Sequence, residues 1–262
     1  MDFTTLLGLA VAWGALAVAT IWSGGRLAAL VNLPGVLIVL GGALGATIGG
    51  LPFHHLAAAP HVLAQAFLGR PVNAAEVMHL MAGLIRRARR EGVLAIEPEI
   101  RAVPNDFLRT GLQLVVDGTS QELLRELLET EMDAMRARHS AGQNVFATLG
   151  GFAPTFGMIG TVMGLIQALG SLERPEDIGK QIAVAFVTTL YGVMVANLIC
   201  LPIANKLKAK SDEEFAAYQV AIEGLIALQS GESPRAAMAR MRSYLPPRAK
   251  QRLETPQGET PA

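Results

Sequence analysis

Four stretches of the chain are apolar without any one-sided spacing. Residues 3–25, 27–53, 141–172 and 181–205 hold no Asp, Glu, Lys or Arg. Each is long enough to cross a bilayer as a helix, which takes about 20 residues, whereas buried helices of a soluble core give apolar runs of about 10–14. Elsewhere the pattern changes. Val77, Leu80, Met81, Leu84, Ile85 and Ala88 recur at spacing three and four, which predicts an amphipathic helix over 74–90, stopped by Gly92. Asp117-Gly118 marks a turn, and Thr119 reads as an N-cap with Glu122 as its capping-box partner. Leu123, Leu124, Leu127, Leu128, Met132 and Met135 then form one stripe, and no breaker follows until Gly142. This helix is expected to run into the third span as one rod. A further amphipathic helix is expected near residues 213–230, followed by a Pro- and charge-rich stretch of disordered composition.

The pattern predicts an all-α membrane protein with four transmembrane helices. Spans one and two occupy residues 1–52, a helical cytoplasmic domain 53–140, spans three and four 141–205, and a cytoplasmic C-terminal helix and tail 206–262. Charge sets the orientation. Ten Lys/Arg fall in residues 53–145 and nine in 203–262, against three (Arg26, Arg174, Lys180) in the two short loops. By the positive-inside rule both blocks, and with them both termini, face the cytoplasm. An acidic Met1-Asp2 leader and a second span close behind argue against a cleaved signal peptide. Composition agrees: 51% hydrophobic residues, a mean hydropathy of +0.37, and 22 basic against 22 acidic residues, a balance that gives no reason to expect nucleic acid.

The spans are not plain anchors. Residues 148–171, TLGGFAPTFGMIGTVMGLIQALGS, carry Gly150, Gly151, Gly157, Gly160, Gly164 and Pro154. Such breakers are tolerated in lipid where neighbouring helices cover the backbone, so this span should face protein. Pro154, Met158, Thr161 and Leu165 share one face. Span two carries Gly41, Gly45 and Gly49 at spacing four, with Gly42 and Gly50 beside them, a stripe suited to close helix approach. Span four carries Thr188, Thr189, Tyr191 and Asn197, with Cys200 and Pro202 near its inner end. Paired threonines either bond their own backbone or line a pathway. On the cytoplasmic side, Arg86, Arg87, Arg89 and Arg90 precede Gly92, and Glu97-Pro98-Glu99 follows. That is either a solvated helix end or a charged docking surface.

What is missing narrows the function. There is no Gly-rich phosphate loop, no Cys/His metal cluster and no nucleophile elbow, so neither an enzyme nor a cofactor or metal is expected. His54, His55 and His61 near the membrane edge fall short of a ligand set. Ion movement through lipid normally needs an intramembrane carboxylate, and none of the spans has one. If the chain conducts, that carboxylate comes from a partner, and Thr161 with Thr188 or Thr189 supplies neutral oxygens.

Three segments together, GGFAPTFGMIGTVMGLIQALGS, VAFVTTLYGVMVANLICLPIANKL and RRARREGVLAIEPEI, resemble the flagellar motor stator family MotA, in its PomA/MotP-like branch. The likeness spans roughly residues 1–230. It implies a torque-generating inner-membrane subunit, five copies of which ring two copies of a single-span MotB/PomB-type partner that carries the membrane Asp. Sodium or proton influx then turns the rotor through FliG. By the same resemblance, Pro154 and Pro202 are the conformational prolines. Arg89 and Glu97, with Arg90 and Glu99 beside them, face the rotor. Thr161 and Thr189, with Thr188, belong to the ion pathway. Pro98 directly after Glu97 is expected to interrupt a helix there. An ExbB/TolQ-type energiser of an outer-membrane process is the alternative, which three spans would favour. A structural membrane scaffold is a third.

Overall fold

A computed structural model describes residues 3–68 and 72–245, with the side chains of residues 3–6, 61 and 65–68 outside the description. The described chain is helical, with no strand. It divides into two units, Met1–Gly69 with His139–Lys208, and Arg70–Arg138 with Ala209–Ala262.

The first unit holds the apolar helices. Helix α1, Phe3–Trp22, contains no charged residue. The hydroxyl of Thr20 at its end donates to Leu16 O at 2.8 Å, and that of Ser23 just beyond to Ala19 O at 2.8 Å, which satisfies both in an apolar setting. A turn through Gly24 leads to a 3-10 turn, Leu27–Leu30. Asn32 then caps helix α2, Leu33–Gly50, accepting the Gly35 N–H at 2.8 Å, and Pro34 sits in the first turn where its missing N–H costs nothing. A π turn, Leu37–Gly41, interrupts α2. Helix α3, Phe53–Leu68, follows with Pro60 inside it. Val62 and Leu63 pack with Phe146, Ile203 and Leu207.

Helix α4, Ala74–Glu91, starts the second unit, capped by Asn73 and stopped by Gly92 at φ 89, as the apolar spacing predicts. A 3-10 turn, Val93–Ile96, leads into the short helix α5, Glu97–Ile100, and Asn105 caps α6, Asp106–Val116. Pro98 lies in the first turn of α5: the helix before it has already ended at Gly92, so the proline starts a helix rather than breaking one. Helix α7 is unbroken over Gln121–Gly170, the long rod expected from the absence of breakers. Its cap is Ser120, one residue later than expected, whose Oγ accepts from Leu123 N–H at 3.4 Å; Thr119 instead gives its carbonyl to the Gln229 amide at 3.2 Å.

Helix α8 runs Pro175–Gln229, with a π turn at Val195–Cys200. The stretch expected to be amphipathic, 213–230, begins one-sided, with Glu213 exposed and Glu214, Ala216 and Gln219 half-buried, but every residue from 220 to 228 is buried, and that part is the centre of the second unit's core. Met81, Leu112, Leu124, Leu128, Leu225 and Met241 are fully buried there, each worth about 2–3 kcal/mol of transfer free energy. Helix α9, Pro234–Ser243, capped by Ser233, lies where the sequence read as tail. It is fastened by a buried carboxylate. Glu223 accepts from Arg125 at 3.0 Å, from Arg240, and from the Tyr244 hydroxyl at 3.4 Å. Burial pushes the Glu223 carboxyl up, but the two guanidiniums outweigh it and hold it below the ordinary value. Tyr218, buried and donating to Glu214 at 2.6 Å, is pushed up to about 12. The expected tail from residue 246 onward lies outside the described residues.

Among the described residues three helices, Leu33–Gly50, Gln121–Gly170 and Pro175–Gln229, are long and apolar enough to cross a membrane, and Leu7–Trp22 is a shorter apolar helix.

Candidate functional site: a threonine pair in a glycine seam

Within the first unit α7 and α8 meet along a line of small residues. A Cβ added to Gly160 would lie 2.8 Å from Thr188 Cβ, and one on Gly164 would lie 2.8 Å from Ala185 Cβ. One on Gly157 would come within 3.0 Å of the Thr188 carbonyl, and one on Gly192 within 2.5 Å of the Ala153 carbonyl. At Gly157 and Gly192 backbone meets backbone, and only glycine permits that approach. The expectation that this span faces protein therefore holds on this face. The stripe in α2 behaves differently. A methyl added at Gly41, Gly45 or Gly49 would meet nothing within 4 Å, whereas Gly35 abuts Thr188 and Gly42 abuts the Phe156 ring.

The seam brings together the predicted threonines and separates their roles. Thr161 Oγ1 lies 2.9 Å from Ala185 O, 3.1 Å from Gly157 O, and within hydrogen-bond distance of Thr189 Oγ1. One hydroxyl has one proton. If Thr161 donates to a carbonyl, Thr189 donates to Thr161, and both lone pairs of Thr189 stay open. Thr189 is half-buried. Thr188 is fully buried, and its hydroxyl donates to Ala185 O at 2.7 Å. Thr188 thus takes the self-bonded, packing role, while Thr161 and Thr189 form the polar pair. Towards the Ser171 end of the seam, Gln181 donates its amide N–H to Ser171 Oγ at 2.9 Å and leaves its own Oε1 buried without a partner among the described residues.

Along these antiparallel helices both prolines lie to the same side of the pair, towards the Gly150–Cys200 end of the seam. Pro154 is half-buried inside the unbroken α7, with its Cα 3.0 Å from a Cβ built on Gly192. Pro202 follows the π turn Val195–Cys200. Widening the helix there gives the pyrrolidine ring room beside the carbonyl four residues back. It borders a cleft of about 500 Å³ with Leu9, Ala12, Asn197 and Asn205. Asn197 donates to the Val193 carbonyl at 3.0 Å, and Cys200 is buried against Gly150.

The charged residues expected to face the rotor lie in the second unit. Arg89, Arg90 and Glu97 are exposed and take no hydrogen bond or ion pair among the described residues. Glu99 differs: it pairs with Arg87, which also pairs with Glu91 at 3.0 Å. These bonds, Glu91 first and Glu99 second, hold the Arg87 guanidinium above its ordinary value. The i,i+4 spacing to Glu91 sets Arg87 apart from the other three arginines in the sequence, whereas its second partner, Glu99, stands twelve residues on, across a turn. A cleft of about 370 Å³ beside Glu97 is bordered by Arg101, Arg109 and Gln113. His54 and His55 stack edge to face, ring centroids 4.3 Å apart, and the His61 side chain lies outside the described residues. No cluster of three metal-ligating side chains occurs among the described residues.

Known proteins resemble the chain along nearly its whole length. Residues 99–220 match the MotA/TolQ/ExbB proton channel family, and residues 6–92 match the N-terminal region of motility protein A. Motility protein A of Bacillus subtilis is 36% identical over 99% of this chain and 96% of its own length. Chemotaxis protein PomA of Vibrio alginolyticus is 31% identical over 94% of this chain and 96% of its own. Among solved structures, the flagellar MotAB stator complex of Bacillus subtilis superposes with a TM-score of 0.89 at 34% identity, covering 97% of this chain and all of the matched one. MotAB of C. jejuni gives a TM-score of 0.89 at 29% identity, covering 94% and 97%.

Proposed function

Since this chain belongs to the motility protein A family, within the MotA/TolQ/ExbB proton channels, we propose that it works as the ion-conducting, torque-generating stator subunit of a bacterial flagellar motor. It is an inner-membrane protein and joins a MotB-type partner in an oligomeric complex. The relatives' names and the MotAB likeness favour this reading over an ExbB/TolQ-type energiser.

Within that reading the finer features are proposals. Four spans are favoured by α1, α2 and the charge-free stretches of α7 and α8, and the distribution of Lys and Arg favours cytoplasmic termini. The resemblance favours five copies around two partners. The observation that carries the mechanism is the Thr161–Thr189 pair beside the Ala185 carbonyl, in spans that bring no carboxylate. Neutral oxygens there hold a cation, sodium or a hydrated proton, as it passes to or from a carboxylate on the partner's span. Each elementary charge crossing 100 mV releases about 2.3 kcal/mol. The Pro154 and Pro202 regions are where the helices yield as the partner's carboxylate changes charge. Arg89, Arg90 and Glu97 then engage FliG through exposed, weak and salt-sensitive contacts suited to stepping. Glu99 acts behind them by holding Arg87.

Two measurements test this. Cation flux through membranes containing the chain and its partner should require both, and should vanish when the partner's membrane Asp is changed to Asn. Flux from the chain alone would overturn the mechanism. Swimming speed against sodium concentration at fixed pH identifies the ion, and a flat curve excludes sodium coupling.

A further inference from the structure

Tyr191 lies on the same helix as the threonine pair's Thr189, yet its bonds run to a different element. Its hydroxyl donates to the Leu30 carbonyl and accepts the Asn32 N–H at 2.8 Å. Those two backbone groups flank the extended residues that join the 3-10 turn to α2. Non-helical backbone in an apolar surrounding needs such partners, and one phenol supplies both. Asn32 in turn caps α2 through Gly35 N–H at 2.8 Å. Gly35 has Thr188 Cγ2 3.0 Å and Tyr191 Cδ2 3.4 Å from the site of its missing Cβ. So the start of α2 grips α8 at Thr188 and Tyr191, one turn apart on the same side.

We infer that Tyr191 is a positioning residue for the ion pathway: its hydroxyl fixes the roll of α8 about its own axis and so aims Thr189 at Thr161. The geometry gives the reason. Successive helical residues are about 100° apart, so Thr189 points about 160° away from Tyr191. A grip on the Tyr191 side turned towards α2 therefore sets the direction of Thr189 on the side turned towards α7. The glycine seam alone does not set it. Gly157, Gly160 and Gly164 offer no side chain to key the roll of α8, and the side-chain hydrogen bonds on that face are those of Thr161 to Thr189 and the Ala185 carbonyl, the contact to be aimed. This inference rests on the reading of Thr161 and Thr189 as pathway residues.

The test uses the full chain with its partner in cells. Swimming speed is followed against sodium at fixed pH, and against pH at fixed sodium, for Tyr191→Phe, Gly35→Ala, Thr189→Ala and Thr161→Ala. Tyr191→Phe removes the hydroxyl alone. It should raise the half-saturating concentration of the coupling ion about fivefold, the factor one net hydrogen bond is worth, while maximal speed and partner assembly change less. Gly35→Ala keeps the phenol but pushes on Thr188, and should move the half-saturating concentration in the same direction. If Thr189→Ala shifts the ion dependence and neither Tyr191→Phe nor Gly35→Ala does, the positioning role is overturned and the pathway reading stands. If Tyr191→Phe only lowers the amount of protein in the membrane, and Gly35→Ala leaves the ion dependence unmoved, Tyr191 is a structural residue and the inference fails. If Thr189→Ala and Thr161→Ala both leave the ion dependence untouched, the pathway reading fails and takes this inference with it.

Discussion

Thr161 and Thr188 point their hydroxyls at one acceptor, the Ala185 carbonyl, from 2.9 and 2.7 Å. They come from different helices and end in different situations. Thr188 is sealed between Gly160 and Gly35, whereas Thr161 continues to Thr189, whose oxygen keeps open lone pairs.

The threonines should therefore respond differently to substitution. Thr189→Val and Thr161→Val remove pathway oxygens and should cut cation flux with the partner about tenfold or more, on the scale of 1.4 kcal/mol per decade, with the protein still in the membrane. Thr188→Ser keeps the hydroxyl on Ala185 and should leave flux within about twofold, since what it loses is a methyl packed on Gly35. Flux measured in vesicles containing both proteins checks this. Equal losses at Thr188 and Thr189 would contradict the division of roles.

The glycine seam gives a stability prediction with an internal control. Gly192→Ala would put a methyl 2.5 Å from the Ala153 carbonyl, a backbone atom that cannot swing aside. Overpacking of this kind costs about 1–3 kcal/mol. The detergent-solubilised protein should melt lower or fail to accumulate. Gly45→Ala meets nothing within 4 Å in its own chain, and any loss it causes must appear in assembly rather than in folding of the single chain. Melting temperature and oligomer size, measured on the same samples, separate the two.

Docking should track exposure and freedom from partners. Arg89→Glu, Arg90→Glu and Glu97→Lys alter side chains that no described residue holds, so they should reduce torque without lowering the melting temperature. Glu99→Gln leaves Arg87 held by Glu91 alone, the loss of one exposed, screened ion pair, so a weaker defect is expected, one that diminishes as salt is raised. Swimming speed across an ionic-strength series, alongside melting curves, decides it. A Glu99 defect larger than that of Glu97 would reverse the order.

The second unit should show acid sensitivity traceable to Glu223. Its folded-state pKa is depressed below the ordinary carboxylate value of 4.5, because Arg125 and Arg240 outweigh the cost of burial. A depressed acid contributes stability above its unfolded pKa and loses it as pH falls through the folded one. Stability should be flat near neutrality and decline below about pH 4.5. Glu223→Gln should lower stability at neutral pH by about 2 kcal/mol, the scale of a hydrogen bond to a charged group, and flatten that acid limb. Unfolding followed from pH 7 downward for both proteins is the check.

The sequence is most legible where periodicity or a charge-free run speaks for a whole element. Helix α4, the stop at Gly92 and the unbroken α7 follow from such patterns. Residues whose role depends on a distant partner are not legible. Tyr191 finds Leu30 and Asn32 across about 160 positions, and nothing local announces it. The glycines of α2 read as one stripe, but packing uses Gly35 and Gly42 and leaves the predicted three open. Residues 213–230 look one-sided because Glu213, Glu214, Gln219 and Glu223 interrupt the apolar run. In the fold, Arg125 and Arg240 cover the Glu223 carboxylate and residues 220–228 are enclosed, while Glu213 at the start of the stretch stays exposed. Helix α9 is hidden by its arginines, which solvated-tail composition and a capped helix share.

The π turn in α8 acts as a phase adjuster. It holds one more residue per turn than the helix on either side, so the residues after it are clocked against those before it by backbone count and not by side-chain identity. Inserting a further residue at 195–200, beyond the one the π turn already absorbs, would turn the following stretch by about 100° and carry Ile203 and Leu207 off the Val62, Leu63 and Phe146 they rest on. Sequence length there is constrained as well as side-chain identity, and a lengthened variant would mispack with every named contact residue still present.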